Sequence, residues 1–86
     1  MDIGLSKIKY NPYNQRVIIS YQNGNIDILD TENAITNIPF ITMSGIMGSK
    51  KINHIYLKNQ YAYLSTDFGI VVLDTDRKEV ADTYFY

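Results

Sequence analysis

The 86-residue sequence contains no cysteine, one histidine, two prolines and five glycines. Without cysteine there is no disulfide scaffold, no thiolate zinc site and no cysteine nucleophile, and the chain is compatible with either redox compartment. The single histidine, His54, would need a Ser or Asp oriented beside it in space to act in nucleophilic or general-base catalysis. Its plain reading is a packed or surface residue. Positive charge is not in excess either: eight Lys and Arg face nine Asp and Glu, a net charge of −1. The basic footprint of a nucleic-acid binder is therefore missing, and the pairs Lys50-Lys51 and Arg77-Lys78 read as solvated turns. No apolar run approaches the ~18 residues of a membrane-crossing helix. The start, Met1-Asp2-Ile3-Gly4-Leu5-Ser6, lacks the basic region and apolar run of a signal peptide, so no targeting signal is read in the chain.

Hydrophobic residues make up 45% of the chain, with eight Tyr and three Phe. That is too apolar for a disordered segment. The length fits one small domain at most. Tyr, Ile and Val lead the apolar set and suit a pleated, half-buried surface. An all-β chain is expected, and no amphipathic helix longer than a turn or two is seen.

The sequence repeats. The stretch from Asn14 to Ile35 aligns with that from Asn59 to Val80. Asn14-Gln15 falls on Asn59-Gln60, Ser20 on Ser65 and Gly24 on Gly69 at an offset of 45. Leu29-Asp30-Thr31 falls on Leu73-Asp74-Thr75 at an offset of 44. A period near 45 lies in the range of β-propeller blades, four-stranded units stacked around a ring. Each half reads as four short strands. In the first these are Ser6 to Tyr10, Arg16 to Tyr21, Asn25 to Leu29 and Ala34 to Ile38, the last ended by Pro39. In the second they are Ile52 to Leu57, Tyr61 to Ser65, Ile70 to Leu73 and Val80 to Tyr84. The expected fold is two four-stranded antiparallel blades, over about 5–41 and about 51–86, as a fragment of a larger propeller. Thr42 to Lys50 is the crossing between them.

Turn chemistry supports this division. Asn11-Pro12-Tyr13-Asn14 is a turn. Asn23-Gly24 is a strong hairpin signal, because both central residues of a type I′ turn need positive φ. Asp67-Phe68-Gly69 carries the letters of the kinase magnesium triplet, yet it occupies the slot of Gln22-Asn23-Gly24 in the first unit. The glycine-rich loop, strand Lys and catalytic-loop Asp and Asn of a kinase are missing. It is read as a hairpin tip whose Gly supplies positive φ.

Asp74, Asp76 and Glu79 do not make a calcium loop, because Arg77 and Lys78 stand in the middle and the required Gly is missing. Gly45-Ile46-Met47-Gly48-Ser49-Lys50 has the wrong glycine spacing and the wrong order for a phosphate loop. No catalytic, cofactor or metal residue is therefore assigned. The tyrosines, with Tyr13, Tyr21, Tyr61 and Tyr63 foremost as ligand or interface aromatics, pack between sheets or form a stacking platform for sugar rings or bases.

Four segments carry a family resemblance: Tyr10 to Asn14, Gly24 to Asp27, Ser49 to Asn53 and the hairpin Tyr61 to Asp74. Together they resemble the N-terminal β-propeller of PorZ-type proteins of the Bacteroidetes type IX secretion system. More distantly they are similar to the sensory propellers of two-component regulators. The resemblance implies a parent protein in the periplasm or at the outer membrane and cell surface. It implies a non-enzymatic scaffold for protein partners of a secretion complex. The alternative it leaves is a ligand-sensing segment that binds glycan or lipopolysaccharide.

Two blades alone expose apolar faces, since repeat units do not bury their hydrophobic faces singly. Exposed patches and open strand edges promote association. The isolated chain is expected to self-associate, or to pair with neighbouring blades.

Overall fold

A computed structural model describes residues 4–43, 45 and 48–86. Eight strands follow one another: β1 Leu5–Asn11, β2 Arg16–Tyr21, β3 Ile26–Leu29, β4 Ile35–Ile38, β5 Ile52–Lys58, β6 Tyr61–Thr66, β7 Gly69–Asp74 and β8 Glu79–Phe85. The first four form one antiparallel meander and the last four another, each in chain order. Short polar turns between β-branched runs favour pairing of neighbouring strands, which gives this topology.

The two meanders share an irregularity. The β1–β2 register slips between Leu5 and Lys7, and the β5–β6 register slips between Ile52 and His54. Each slip inserts one residue, Ser6 or Asn53, near the start of the unit's first strand. The Ser6 hydroxyl then donates to the Ile52 carbonyl across the gap between sheets, at 3.0 Å. The turns between the first and second strands differ. Residues 12–15 connect β1 to β2, whereas Asn59 and Gln60 alone connect β5 to β6. The repeat offset is accordingly 47 before this turn (Ile8 pairs with Ile19, Ile55 with Leu64) and 45 after it.

One core lies between the sheets. From the first sheet it takes Ile18, Ile26, Ile28 and Ile38; from the second, Ile55, Ala62, Leu64, Val71 and Leu73. Period-two alternation places these side chains on one face of each strand. Ile41, fully buried in the turn after Pro39, closes one end together with Ile52. That turn is held by the Pro39 carbonyl, which accepts from the Met43 N–H and the Thr42 hydroxyl, both at 2.9 Å. Burying this set supplies the main favourable term of folding, at roughly 1.5–3 kcal/mol for each large side chain removed from water.

Part of the crossing from Thr42 to Lys50 and the phosphate-loop look-alike falls on Ser44, Ile46 and Met47, which lie outside the described residues. Gly45, Gly48 and Ser49 are exposed.

Candidate functional site

The two hairpin tips differ in build. At the first, the Gly24 N–H donates to the Tyr21 carbonyl and the Tyr21 N–H to the Asn25 carbonyl, both at 2.9 Å. Gly24 has φ of 89°, while Asn23 is not among the residues with positive φ. This is a three-residue loop closed by a left-handed glycine, not the two-residue type I′ turn expected from Asn-Gly. The Asn23 side chain accepts from the Asn25 N–H at 3.0 Å, which fixes its backbone in the ordinary region.

At the second tip, the Thr66 hydroxyl accepts from the Gly69 N–H at 3.1 Å and donates to the Gly69 carbonyl at 2.8 Å. Phe68 leans on Phe85, with ring centroids 6.1 Å apart. The Asp67 carboxylate accepts from the Asn53 side-chain amide at 2.8 Å. Gly69 has φ of 155°, and a Cβ there would meet the carbonyl oxygen of Tyr84. It thus supplies a positive φ at the hairpin, and its missing Cβ also admits β8. Among the described residues, no three His, Cys, Asp or Glu side chains gather as metal ligands. His54 is exposed, in a depression it shares with Lys7, Ile8, Lys9 and Ile55, and its cross-strand partner on β6 is Ser65.

A polar seam holds the sheets together at the end opposite the hairpin tips. Thr75 is fully buried, and its hydroxyl donates to the Gln60 carbonyl at 2.6 Å. That hydroxyl oxygen accepts from the Asn14 amide at 2.7 Å, and the same amide donates to Asp76 at 2.7 Å. The buried Asn11 amide donates to the Asn59 carbonyl at 2.8 Å. Beside this network, Asp30 accepts from Lys78 of the second unit at 2.8 Å and pairs with Arg16 of its own unit at 3.5 Å. Lys78, with the backbone N–H of Ala34 next in weight, holds the Asp30 carboxyl down to about 2. The repeated Leu-Asp-Thr explains half of this arrangement. Asp30 and Asp74 each turn one carboxylate oxygen back onto the following backbone N–H groups, those of Glu32 and Ala34 and those of Asp76 and Arg77.

The outer faces of the slab remain open. The first sheet shows Ile8, Tyr10, Val17, Ile19, Leu29 and Ile35, of which Ile8 is 60% and Ile35 64% exposed. The second carries Tyr56, Tyr63, Ile70, Val72 and Tyr84 on its outer side, with Val72 itself buried. Tyr56 and Tyr63 stand 6.1 Å apart, and the Asp82 carboxylate raises the Tyr84 hydroxyl pKa.

The four candidate tyrosines are dispersed. Tyr13 is exposed on the β1–β2 turn. Tyr21 lies on the outer face of the first sheet and donates to Asp27 at 2.9 Å, which raises its pKa. Only Tyr61 and Tyr63 share a face, that of the second sheet.

The model of the type IX secretion PorZ N-terminal β-propeller domain matches residues 1–86. The chain belongs to this family. It superposes on PorZ of Porphyromonas gingivalis, described as an essential bacterial surface component of the type IX secretion system. The TM-score is 0.89, the identity 33%, and 98% of this chain is covered. The match spans 11% of that larger chain. No curated protein matches. The two meanders are thus β-propeller blades, and the resemblance carried by Tyr10 to Asn14 and Tyr61 to Asp74 is to the correct family.

Sequence reasoning misses the seam. Asn11, Asn14, Thr75 and Lys78 read as turn residues. The available signal is the repeat itself, since a Thr held after Leu-Asp in both units has a use that a bare turn does not demand.

Proposed function

We propose that the chain is a non-catalytic interaction and scaffold module of a type IX secretion apparatus, acting in the periplasm or at the outer-membrane surface. The observation that carries this reading is the match of residues 1–86 to the type IX secretion PorZ N-terminal β-propeller domain. The two outer sheet faces correspond to blade faces, which pack on neighbouring blades in a propeller. The polar groups near the seam are spent on holding blade to blade, and His54 stands among lysines rather than acids. The test is export of type IX cargo in cells whose chain carries Tyr63→Glu or Ile8→Glu, each checked for folding and abundance. Export is expected to fall strongly. Normal export with both faces altered would overturn the reading.

Glycan binding has one observation in its favour: the tyrosine pair Tyr56 and Tyr63 on one open face. A ligand that binds only the folded chain raises its melting temperature. A shift of several degrees with anionic or neutral glycans would support this second reading, and no shift would leave the protein-contact reading alone.

A further inference from the structure

We infer that the edge along which β1 and β5 meet is a binding site for an oxyanion of the phosphate class, held by Lys7, Lys9 and His54. Neither outer sheet face takes part.

Charge in this chain is divided by strand rank. Lys7, Lys9, Lys50, Lys51 and Lys58 lie on or just before the first strands of the two units, five of the eight basic residues. None of the nine Asp and Glu lies between Gly4 and Asn11 or between Gly48 and Gln60. A chain of net charge −1 thus concentrates positive charge on β1 and β5. Both are edge strands of their sheets, and along them the two sheets come closest. Propeller blades stand around a central channel, and the edge at which blades converge is the one that faces it. That holds whichever blades flank this pair.

The same irregularity presents a cation in both units. The register slips that insert Ser6 and Asn53 stand immediately before Lys7 and His54, which are repeat equivalents at the offset of 47. Bulges re-aim the side chains beside them and are common next to functional sites. In the first unit the Ser20 hydroxyl holds the bulge by accepting from the Lys7 N–H at 3.1 Å. Lys7 and Lys9 stand opposite Ser20 and Ile18, both buried on the inner side, so their side chains leave β1 over the gap between the sheets. There they border a cavity of about 160 Å³ with Ile8, His54 and Ile55.

Among the described residues no carboxylate pairs with Lys7 or Lys9. Two ammonium groups and an imidazole therefore share one cavity with no described acid to neutralise them. The apolar Ile8 and Ile55 beside them lower the local dielectric and strengthen attraction for an anion. Each ammonium offers three N–H donors, and the imidazole adds at least one. A phosphate group, whose several oxygens accept charge-assisted bonds, matches that set.

The experiment titrates the isotope-labelled chain with sodium phosphate, at an ionic strength held constant with sodium chloride. Amide proton–nitrogen spectra locate the contact. Saturable shifts are expected at Lys7, Ile8, Lys9, His54 and Ile55, with half-saturation in the millimolar range. Lys7→Ala combined with Lys9→Ala is expected to weaken binding roughly three- to thirtyfold, the worth of two exposed ion pairs. Lys51→Ala combined with Lys58→Ala removes the same charge outside the cavity and is expected to change binding by no more than about twofold, because salt screens distant charges. Should the change at Lys7 disturb the bulge, Lys9→Ala with His54→Gln replaces that variant. Glucose 6-phosphate binding more tightly than inorganic phosphate would assign the site to a phosphorylated ligand, and equal binding would assign it to the free ion. Shifts that never saturate, or that fall outside these two strands, overturn the inference. So does an equal loss in both double variants, which would show general charge attraction. Either result leaves the secretion reading standing, since that reading rests on family membership.

Discussion

An alanine at Gly69 would drive its Cβ into the Tyr84 carbonyl, and at Gly24 it would lie 2.6 Å from Ile41 Cγ2 and 2.7 Å from the Lys50 carbonyl. The two glycines align in the repeat, yet the constraints differ. Both take a positive φ; Gly24 also needs the room beside Ile41, and Gly69 the room for β8. Gly24→Ala is expected to cost about 1–3 kcal/mol, the usual range for a side chain forced into that region. Gly69→Ala is expected to cost more, because the obstacle is backbone of a paired strand. Urea unfolding of both variants checks the order, and a mild effect at Gly69 would contradict it. At the same scale, the folded Asp30 carboxyl sits near 2, held chiefly by Lys78. The unfolded value is ~3.9. The folded state therefore takes up the proton less readily. The stabilisation is complete above about pH 4 and is lost as pH falls through about 2. Asp30→Asn should lose less melting temperature than the unaltered chain between about pH 5 and pH 2. Equal losses would show that the pair with Lys78 does not matter to folding. The aligned Gly24 and Gly69 are legible in the sequence; their different neighbours are not, because only tertiary contact sets them.

At the scale of elements, the strands are legible almost residue for residue. Arg16 to Tyr21 is a strand over the range its pattern implies, and β7 extends Ile70 to Leu73 by one residue at each end. Alternating Ile and Val between Asn, Asp and Gly turns admits little else. The face that each strand buries is less legible. In β2, Val17 and Ile19 are as apolar as Ile18, so period two marks a strand here but not its inner side. Ser20 and Thr66 settle it only once their buried partners are known. The seam is the element-scale device that fixes the sheets' registration. Thr75→Val keeps shape and removes the hydroxyl. It removes the 2.6 Å donor to the Gln60 carbonyl, which keeps the Thr75 N–H at 2.9 Å, and one acceptor of the Asn14 amide, which keeps Asp76. A loss of about 0.5–1.5 kcal/mol is expected, the net worth of a hydrogen bond whose partners keep other bonds. An unchanged midpoint in urea would mean that the apolar core alone sets the stacking.

As a whole, the molecule measures 35 × 31 × 18 Å along its principal axes, with one core between its two sheets. The repeat by itself makes the two-unit organisation legible. It does not reveal that the units stack in one sense, so that unlike faces of the two units meet. That follows from the buried positions in the two units, Ile18 and Ile28 against Ala62 and Leu64, which are not repeat equivalents. The stacking sense decides which positions of each unit face outward. It is tested most directly by methyl nuclear Overhauser measurements on the isotope-labelled chain. Cross-peaks are expected from the methyls of Ile18, Ile26 and Ile28 to those of Ala62, Leu64, Val71 and Leu73. Cross-peaks from those isoleucines to Ile70 and Val72 instead would contradict the stacking and the account built on it.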